Sequence, residues 1–369
     1  MFLALRELRH SRLRFVLIGT ILTLIAWLVF LLSGLANGLA TDNAAAIQRM
    51  PADGFVFQAD SRLLLQRSLL PLATVDQVRQ VPGVTAAPLG QLTLSFKRAT
   101  GGDLLDATML GIDPASFLAP PVVAGQGLQG ASARGVVVDT KLADHDVQLG
   151  DTLVVQPSGT TLTVVGFTSG QTYSHMPVIY APLTLWQQLR FPTPEAAGQI
   201  AQPISAIAVQ ANADTLSRIA AAVPGTEVGS RGDTVKQLPG YAEETGTLTM
   251  IQAFLFVIAA LLIAAFFYIV TLQKTAQFGV LKAIGASTAF LTRDLLGQVL
   301  LLTIAGIALG AALAYAVAAL IGGFVPVALA GSLVVGYGGV LLAVALGGAL
   351  LSLRRIATID ALVAIGRVD

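Results

Sequence analysis

The run Tyr173-Ser174-His175-Met176 places a phenol, an imidazole and a thioether within four residues. Each is a side-chain type that serves as an axial ligand to haem iron. In an extended segment, residues two apart share a face, so Tyr173 and His175 would stand side by side. The same tetrapeptide also reads as a hairpin tip whose aromatic side chain simply packs. Residue types alone leave both readings open. Two further groups flank long apolar stretches: Asn37, Asp42, Arg49 and Met50 after the first, and Tyr241, Glu244 and Met250 at the start of the second. Arg49 could pair with a carboxylate of a ligand or be an ordinary surface charge, and Met50 could serve packing alone.

Other chemistry is missing. Cysteine is absent, so there is no thiolate nucleophile, disulfide or Cys-based zinc site. The three histidines, His10, His145 and His175, are scattered, and no HExxH occurs. No motif assembles a catalytic set, so no catalytic residue is assigned and an enzyme is not expected. No lysine follows a glycine, which excludes a GxxxxGK[ST] phosphate loop. Any ATP this protein depends on, with its Mg²⁺, must be bound by another polypeptide.

The charge map gives the elements that must hold these residues. Charged residues are 12% of the 369, against about 25% in an ordinary soluble domain. That is too few to cover a water-facing surface, and the net charge of +1 offers nothing to nucleic acid. No charge falls between Arg14 and Asp42, Glu244 and Lys274, or Asp294 and Arg354. A spanning helix needs about 20 apolar residues. The first two gaps fit one span each, at 15–39 and 248–273. The third fits two, at 295–321 and 333–353, divided by a Gly/Pro turn over 322–332. The first span runs well past the apolar core of a signal peptide and reads as a retained anchor. The glycines of the last two, such as Gly306, Gly310, Gly338 and Gly348, suit close packing of those two spans, or a seam with a second copy.

Lys and Arg set orientation. The 1–14 segment, the 274–294 loop and the 354–369 tail are each basic, whereas 40–247 holds 12 Lys/Arg against 17 Asp/Glu. Both termini are therefore expected in the cytoplasm and 40–247 outside. The outer segment is long enough for its own core. Its strand-like runs are Gly54–Gln58, Leu92–Phe96, Gly135–Asp139, Thr152–Gln156, Thr161–Val165, Val178–Tyr180 and Ala206–Gln210, with short helices at Thr74–Val81, Leu183–Leu189 and Ala213–Ala222. The punctuation Val81-Pro82-Gly83 and Val223-Pro224-Gly225 repeats after two of the helices. The expected fold is an α-helical membrane protein with four transmembrane helices. An α+β extracytoplasmic domain is inserted between the first and second, with a β-rich insert near Leu92–Phe167 and helical stalks at 41–50 and 241–250.

With this order of elements the chain resembles the MacB/FtsX-like permeases of ABC transporters over essentially its whole length. The segments carrying the likeness are Lys274-Thr-Ala-Gln-Phe-Gly-Val-Leu-Lys-Ala-Ile-Gly-Ala-Ser287 and Ile359-Asp-Ala-Leu-Val-Ala-Ile-Gly366. Within the family it is most similar to the haem-exporter (HrtB) branch, through Ser33-Gly-Leu-Ala-Asn-Gly-Leu39, Thr172-Tyr-Ser-His175, Tyr241 with Glu244, and Ala264-Ala-Phe-Phe-Tyr268. The resemblance implies a homodimer in the bacterial cell (plasma) membrane, worked by a separate HrtA-like ATPase through lever-like mechanotransmission. The cargo would be haem, taken from membrane lipid, with no tightly bound cofactor. It makes Tyr173, His175, Met176, Tyr241, Glu244, Asn37, Arg49 and Met250 the haem-binding candidates.

Phe278, Val280, Leu281 and Ile284, with Lys282, form a short amphipathic pattern suited to a groove on an ATPase, or else to the lipid headgroups. The basic and leucine-rich 1–14 segment suits the lipid surface. Other readings are the same machine exporting a lipid, glycolipid or peptide, and an FtsX-like signalling protein that transports nothing.

Overall fold

The computed structural model describes residues 12–129, 132–198, 200–273, 280, 284–285, 287–321 and 325–357. The segment 1–11, the coupling candidates Phe278, Leu281 and Lys282, and the C-terminal Ile359–Gly366 motif lie outside the described residues. The chain divides into two compact units. One takes residues up to Leu39 and from Glu244 onward, and the other is Ala40–Glu243.

Among the described residues, the first unit holds four helices long and apolar enough to cross a membrane. They lie in α1 (Arg12–Arg49), α6 (Tyr241–Gln273), α7 (Thr288–Ile321) and α8 (Gly331–Ala357). Hydrophobic attraction between helices vanishes in lipid, so close packing and hydrogen bonds must hold the bundle. Glycines supply the first, but not mainly between the last two helices. A methyl at Gly306 or Gly310 of α7 would lie 2.9 Å from Leu22 Cβ or 2.7 Å from Ala26 Cβ of α1, and Gly348 of α8 abuts Ala260 and Ala264 of α6. The expected packing of α7 on α8 is present, with Gly338 against Ile307 within it, though the other glycines lie elsewhere. Buried polar groups supply the second. Ser33 Oγ donates to Val29 O at 2.6 Å, Gln252 Nε2 donates to Ser33 Oγ at 3.3 Å, and Tyr337 OH donates to Gln252 Oε1 at 3.2 Å.

The motif Ser33–Leu39 finds its physical reason in this unit. Ala328 N donates to Gly34 O at 2.9 Å, and Asn37 Nδ2 donates to Ala328 O at 3.0 Å. Gly38 lies directly against the Pro326 carbonyl, where any side chain would overlap it. Gly34, Asn37 and Gly38 thus clamp the 325–330 connection onto α1.

The second unit is α+β with two lobes that share a long strand. In chain order it holds β1 (Gly54–Gln58), β2 (Leu70–Pro71), α2 (Thr74–Arg79), β3 (Thr85–Arg98), β4 (Leu105–Ile112), β5 (Ala124–Gly125), β6 (Gly135–Asp139), β7 (Thr152–Gln156), β8 (Thr161–Thr168), β9 (Thr172–Tyr173) and β10 (Met176–Pro182). Next come α3 (Leu183–Arg190), β11 (Pro203–Ile204), β12 (Ala206–Gln210), α4 (Ala213–Ala222), β13 (Thr226–Ser230) and α5 (Arg231–Lys236).

In one lobe β13, β1, β12 and the first half of β3 form an antiparallel sheet. Helices α2 and α4 cover one face of it, burying Val75, Val78 and Ile219 against Val56, Ile207 and Val209. Each helix turns into its following strand through a left-handed glycine, Gly83 or Gly225, as the repeated Val-Pro-Gly punctuation anticipates.

In the other lobe β3, β4, β10, β6, β8 and β7 close into a ring, β7 returning to the second half of β3. Its interior holds Phe96, Met109, Val138, Leu153, Leu162 and Ile179. The β-rich insert therefore runs beyond Phe167, because β10 is needed to join β4 to β6. At the seam of the lobes Gly90 of β3 pairs with Gly111 of β4. A methyl on either would overlap the Trp186 indole, so the two glycines make the slot in which α3 docks.

Candidate functional site

The outer end of α1, the start of the loop after β6, and the β9–β10 hairpin meet in the second unit. Asp42, Asn43 and Arg49 come from α1, the first and last two turns apart on one side of the helix. Asn43 is fully buried; its carbonyl accepts Ser174 N at 2.8 Å and its Nδ2 donates to Pro239 O at 3.3 Å. Asp42 is the electrostatic centre. Its carboxylate holds the Lys141 ammonium through one oxygen and lies 3.4 Å from His175 Nδ1 through the other. The Asp42 side chain is 13% exposed, against 46% for Lys141 and 42% for His175.

Below this surface group lies Asp139, fully buried at the end of β6. Its oxygens accept Gln171 N at 2.6 Å and Lys141 N at 2.9 Å. Burial pushes its carboxyl up. Those two N–H donors and the nearby Lys141 and Arg49 charges oppose the shift. Tyr180 OH donates to Gln171 Oε1 at 3.0 Å, and burial holds its phenol well above the usual range. Arg49 Nη1 donates to Ser169 O at 3.2 Å. The Arg49 guanidinium is thus committed to the 168–171 turn beside Asp139.

The hairpin corrects the shared-face expectation for Tyr173 and His175. Thr172–Tyr173 pairs with Met176–Pro177, leaving Ser174 and His175 as a two-residue loop at φ 50° and 63°. Left-handed φ at both central positions is the type I′ geometry whose twist matches the flanking strands. The loop sends neighbouring side chains opposite ways. Tyr173 is fully buried among the core residues of the domain, and His175 is exposed. Burial also holds the Tyr173 phenol well above its usual range, with Gln66 alone opposing. Ser-His is a poor local choice for this turn. The Asn43 carbonyl and the Asp42 carboxylate hold it from outside the hairpin.

The other candidates fall apart into separate places. Met176 is half-buried and cross-strand from Tyr173. Tyr241 packs its ring on the same core as Tyr173. Asn37, Glu244 and Met250 belong to the other unit. There Asn37 is spent on the Ala328 carbonyl, Glu244 is half-buried, and Met250 is exposed on α6. Of the coupling residues, Val280 and Ile284 are exposed, joined by an Ile284 N to Val280 O bond of 3.1 Å. Sequence reasoning missed Lys141 and Asp139. The one signal was an acid and a lysine, Asp139-Thr140-Lys141, closing the all-buried strand Gly135–Asp139.

Among the described residues, four long apolar helices with an α+β domain inserted after the first define a membrane protein with a large domain set between its first two spans. Two family models divide the chain between them: the MacB-like periplasmic core domain over residues 18–225 and the FtsX-like permease C-terminal over residues 249–361. The chain belongs to this MacB/FtsX family of ABC transporter permeases. It is 28% identical over its full length, and that of the relative, to a Staphylococcus haemolyticus protein named as a hemin transport system permease, HrtB. It is 25% identical, over 99% of each chain, to an uncharacterized ABC transporter permease of Mycobacterium tuberculosis. Among solved structures, the extracellular domain of the ABC-type transporter YknZ from Gram-positive bacteria matches 48% of this chain and 98% of its own, at 15% identity and a TM-score of 0.35.

Proposed function

We propose that this chain is the permease half of an ABC exporter that moves haem out of the membrane, driven by a separate HrtA-like ATPase. Both termini lie in the cytoplasm and Ala40–Glu243 lies outside, the arrangement favoured by the Arg-rich N-terminus and the acid-rich outer segment. Similarity to relatives named for hemin transport, over the full length of one and 83% of another, supports the cargo. The absence of a phosphate loop in the sequence supports the separate motor. The permease works as a homodimer; Gly336, Gly339 and Gly347 of α8, where an added methyl would meet no atom within 4 Å, offer a second copy a close approach.

The observation that carries the haem site is the exposed His175 with its Nδ1 on the Asp42 carboxylate. A carboxylate behind the imidazole fixes the orientation of the ring and leaves its other nitrogen for iron. Lys141 beside it suits a haem propionate. Tyr173 supports the hairpin from the core and does not ligate. Because Asp42 is on α1, cargo at His175 is read directly by that helix, which continues without a break from Arg12. A lever of this kind lets a stroke started in the cytoplasm act on the site.

A haem titration of the purified protein tests the reading. A Soret shift is expected, lost in His175→Ala and weakened in Asp42→Asn. An unchanged spectrum in His175→Ala removes that ligand.

A further inference from the structure

The two lobes of the outer domain leave between them a cleft of about 460 Å³, whose lining includes none of Asp42, Lys141 and His175. Arg67 and Ser68 reach it from the loop between β1 and β2, Gln91 from β3, Trp186 and Arg190 from α3, and Ser205 from the turn before β12. These side chains share one property: each can donate a hydrogen bond. No Asp or Glu lines the cleft among the described residues.

Several donors are unspent. Ser68 and Ser205 are 4% and 3% exposed, and their oxygens accept Gln58 N at 2.9 Å and Gln91 N at 3.0 Å. An oxygen used as an acceptor still carries its own proton to donate. The Trp186 indole is fully buried, and its N–H has no hydrogen-bond partner among the described residues. A buried donor left unmatched is costly, so native structures seldom keep one without a use. Two guanidiniums add charge. Arg190 is steadied by its Cζ lying 5.4 Å from the Phe191 ring centroid, and Arg67 faces the cleft from the opposite lobe.

We propose that this cleft is a binding site for an oxyanion group, a carboxylate or a phosphate, carried by a ligand of the outer domain. A guanidinium matches either group in a forked geometry, two of them line the cleft, and hydroxyl, amide and indole donors can complete the shell. Because the cleft is built by both lobes around the Gly90–Gly111 seam, an occupant would bridge them. The proposal does not depend on haem being the cargo.

The full chain in detergent tests it. The protein has two tryptophans, so Trp27→Phe leaves Trp186 as the sole indole reporter. Sodium phosphate and sodium acetate are titrated separately at constant ionic strength, with sodium chloride as the reference. A saturable change in Trp186 emission with either oxyanion is expected, weakened at least tenfold in Arg67→Gln/Arg190→Gln and retained in Arg134→Gln. A response to phosphate alone assigns a phosphate ester, and one to acetate alone assigns a carboxylate. Calorimetry on the unsubstituted protein repeats the measurement without the Trp27 change. The proposal falls if neither anion gives saturable binding by both methods, if chloride does as well, or if the double variant, folded by circular dichroism, binds equally.

Discussion

Replacing Gly38 by alanine isolates the clamp that holds the 325–330 connection to α1. The added methyl has no room, because it would coincide with the Pro326 carbonyl. Forcing a methyl into a packed site costs about 1–3 kcal/mol. Moving the connection away also weakens the Asn37 bond to Ala328 O at 3.0 Å and the Ala328 bond to Gly34 O at 2.9 Å, each worth roughly 0.5–1.5 kcal/mol. Against this stands the gain of about 1 kcal/mol for alanine over glycine within a helix. The balance is a net loss of about 2 kcal/mol. Gly19 is the internal control, since it sits on the same helix with nothing within 4 Å. Gly19→Ala keeps only the helix gain and is expected to leave the protein as stable or more so. Melting both variants in one detergent at one heating rate removes the dependence on scan conditions. Gly38→Ala is expected to melt on the order of 2–6 °C lower. If the two alanine variants melt together, the clamp is not a stability element and the reason given for Asn37 and Gly38 fails.

Tyr173→Ala should cost about 3–5 kcal/mol, the range for emptying a buried aromatic site, and any spectral loss should track unfolding measured in parallel by circular dichroism. Loss of the Soret shift in a fully folded Tyr173→Ala protein would return the tyrosine to the ligand set. Asp139 has a raised carboxyl, so the native state holds its proton more firmly than the unfolded chain does. Its linkage favours the fold at low pH, and that share is lost as pH climbs from the ordinary value of 3.8 through the raised one. The stability of wild type relative to Asp139→Asn should therefore fall as pH climbs over that interval, and a difference in melting that does not change with pH would refute the assignment. Ile284→Asp should leave the partner's ATP hydrolysis running while export stops, and normal export would remove the 280–284 segment from coupling.

Much of the architecture was legible because its causes are local. A charge in hydrocarbon is expensive, so the four spans are written as gaps in the charge map. Strands such as Gly135–Asp139 and Ala206–Gln210, and helix Ala213–Ala222, were readable from short runs of β-branched residues or amphipathic spacing. β4, Leu105–Ile112, mixes Asp, Ala, Thr, Met and Gly, and it is a strand only because β3 and β10 flank it. The glycines were visible as small residues, but not that Gly306 and Gly310 meet α1.

The candidate site divides the same way. Residue types marked Tyr173, His175 and Met176 as one group and Asn37, Asp42 and Arg49 as another, with nothing local to join them. Their roles followed from contacts no local pattern encodes. Two left-handed residues in the hairpin turned Tyr173 inward and His175 outward. Lys141, 99 positions from Asp42, became its partner only through closure of the ring of strands. The amino-acid order determined what must sit in lipid and what must face water, since transfer free energies act residue by residue. Which side chains meet was decided by strand register and helix packing, where one shift of pairing exchanges the two faces.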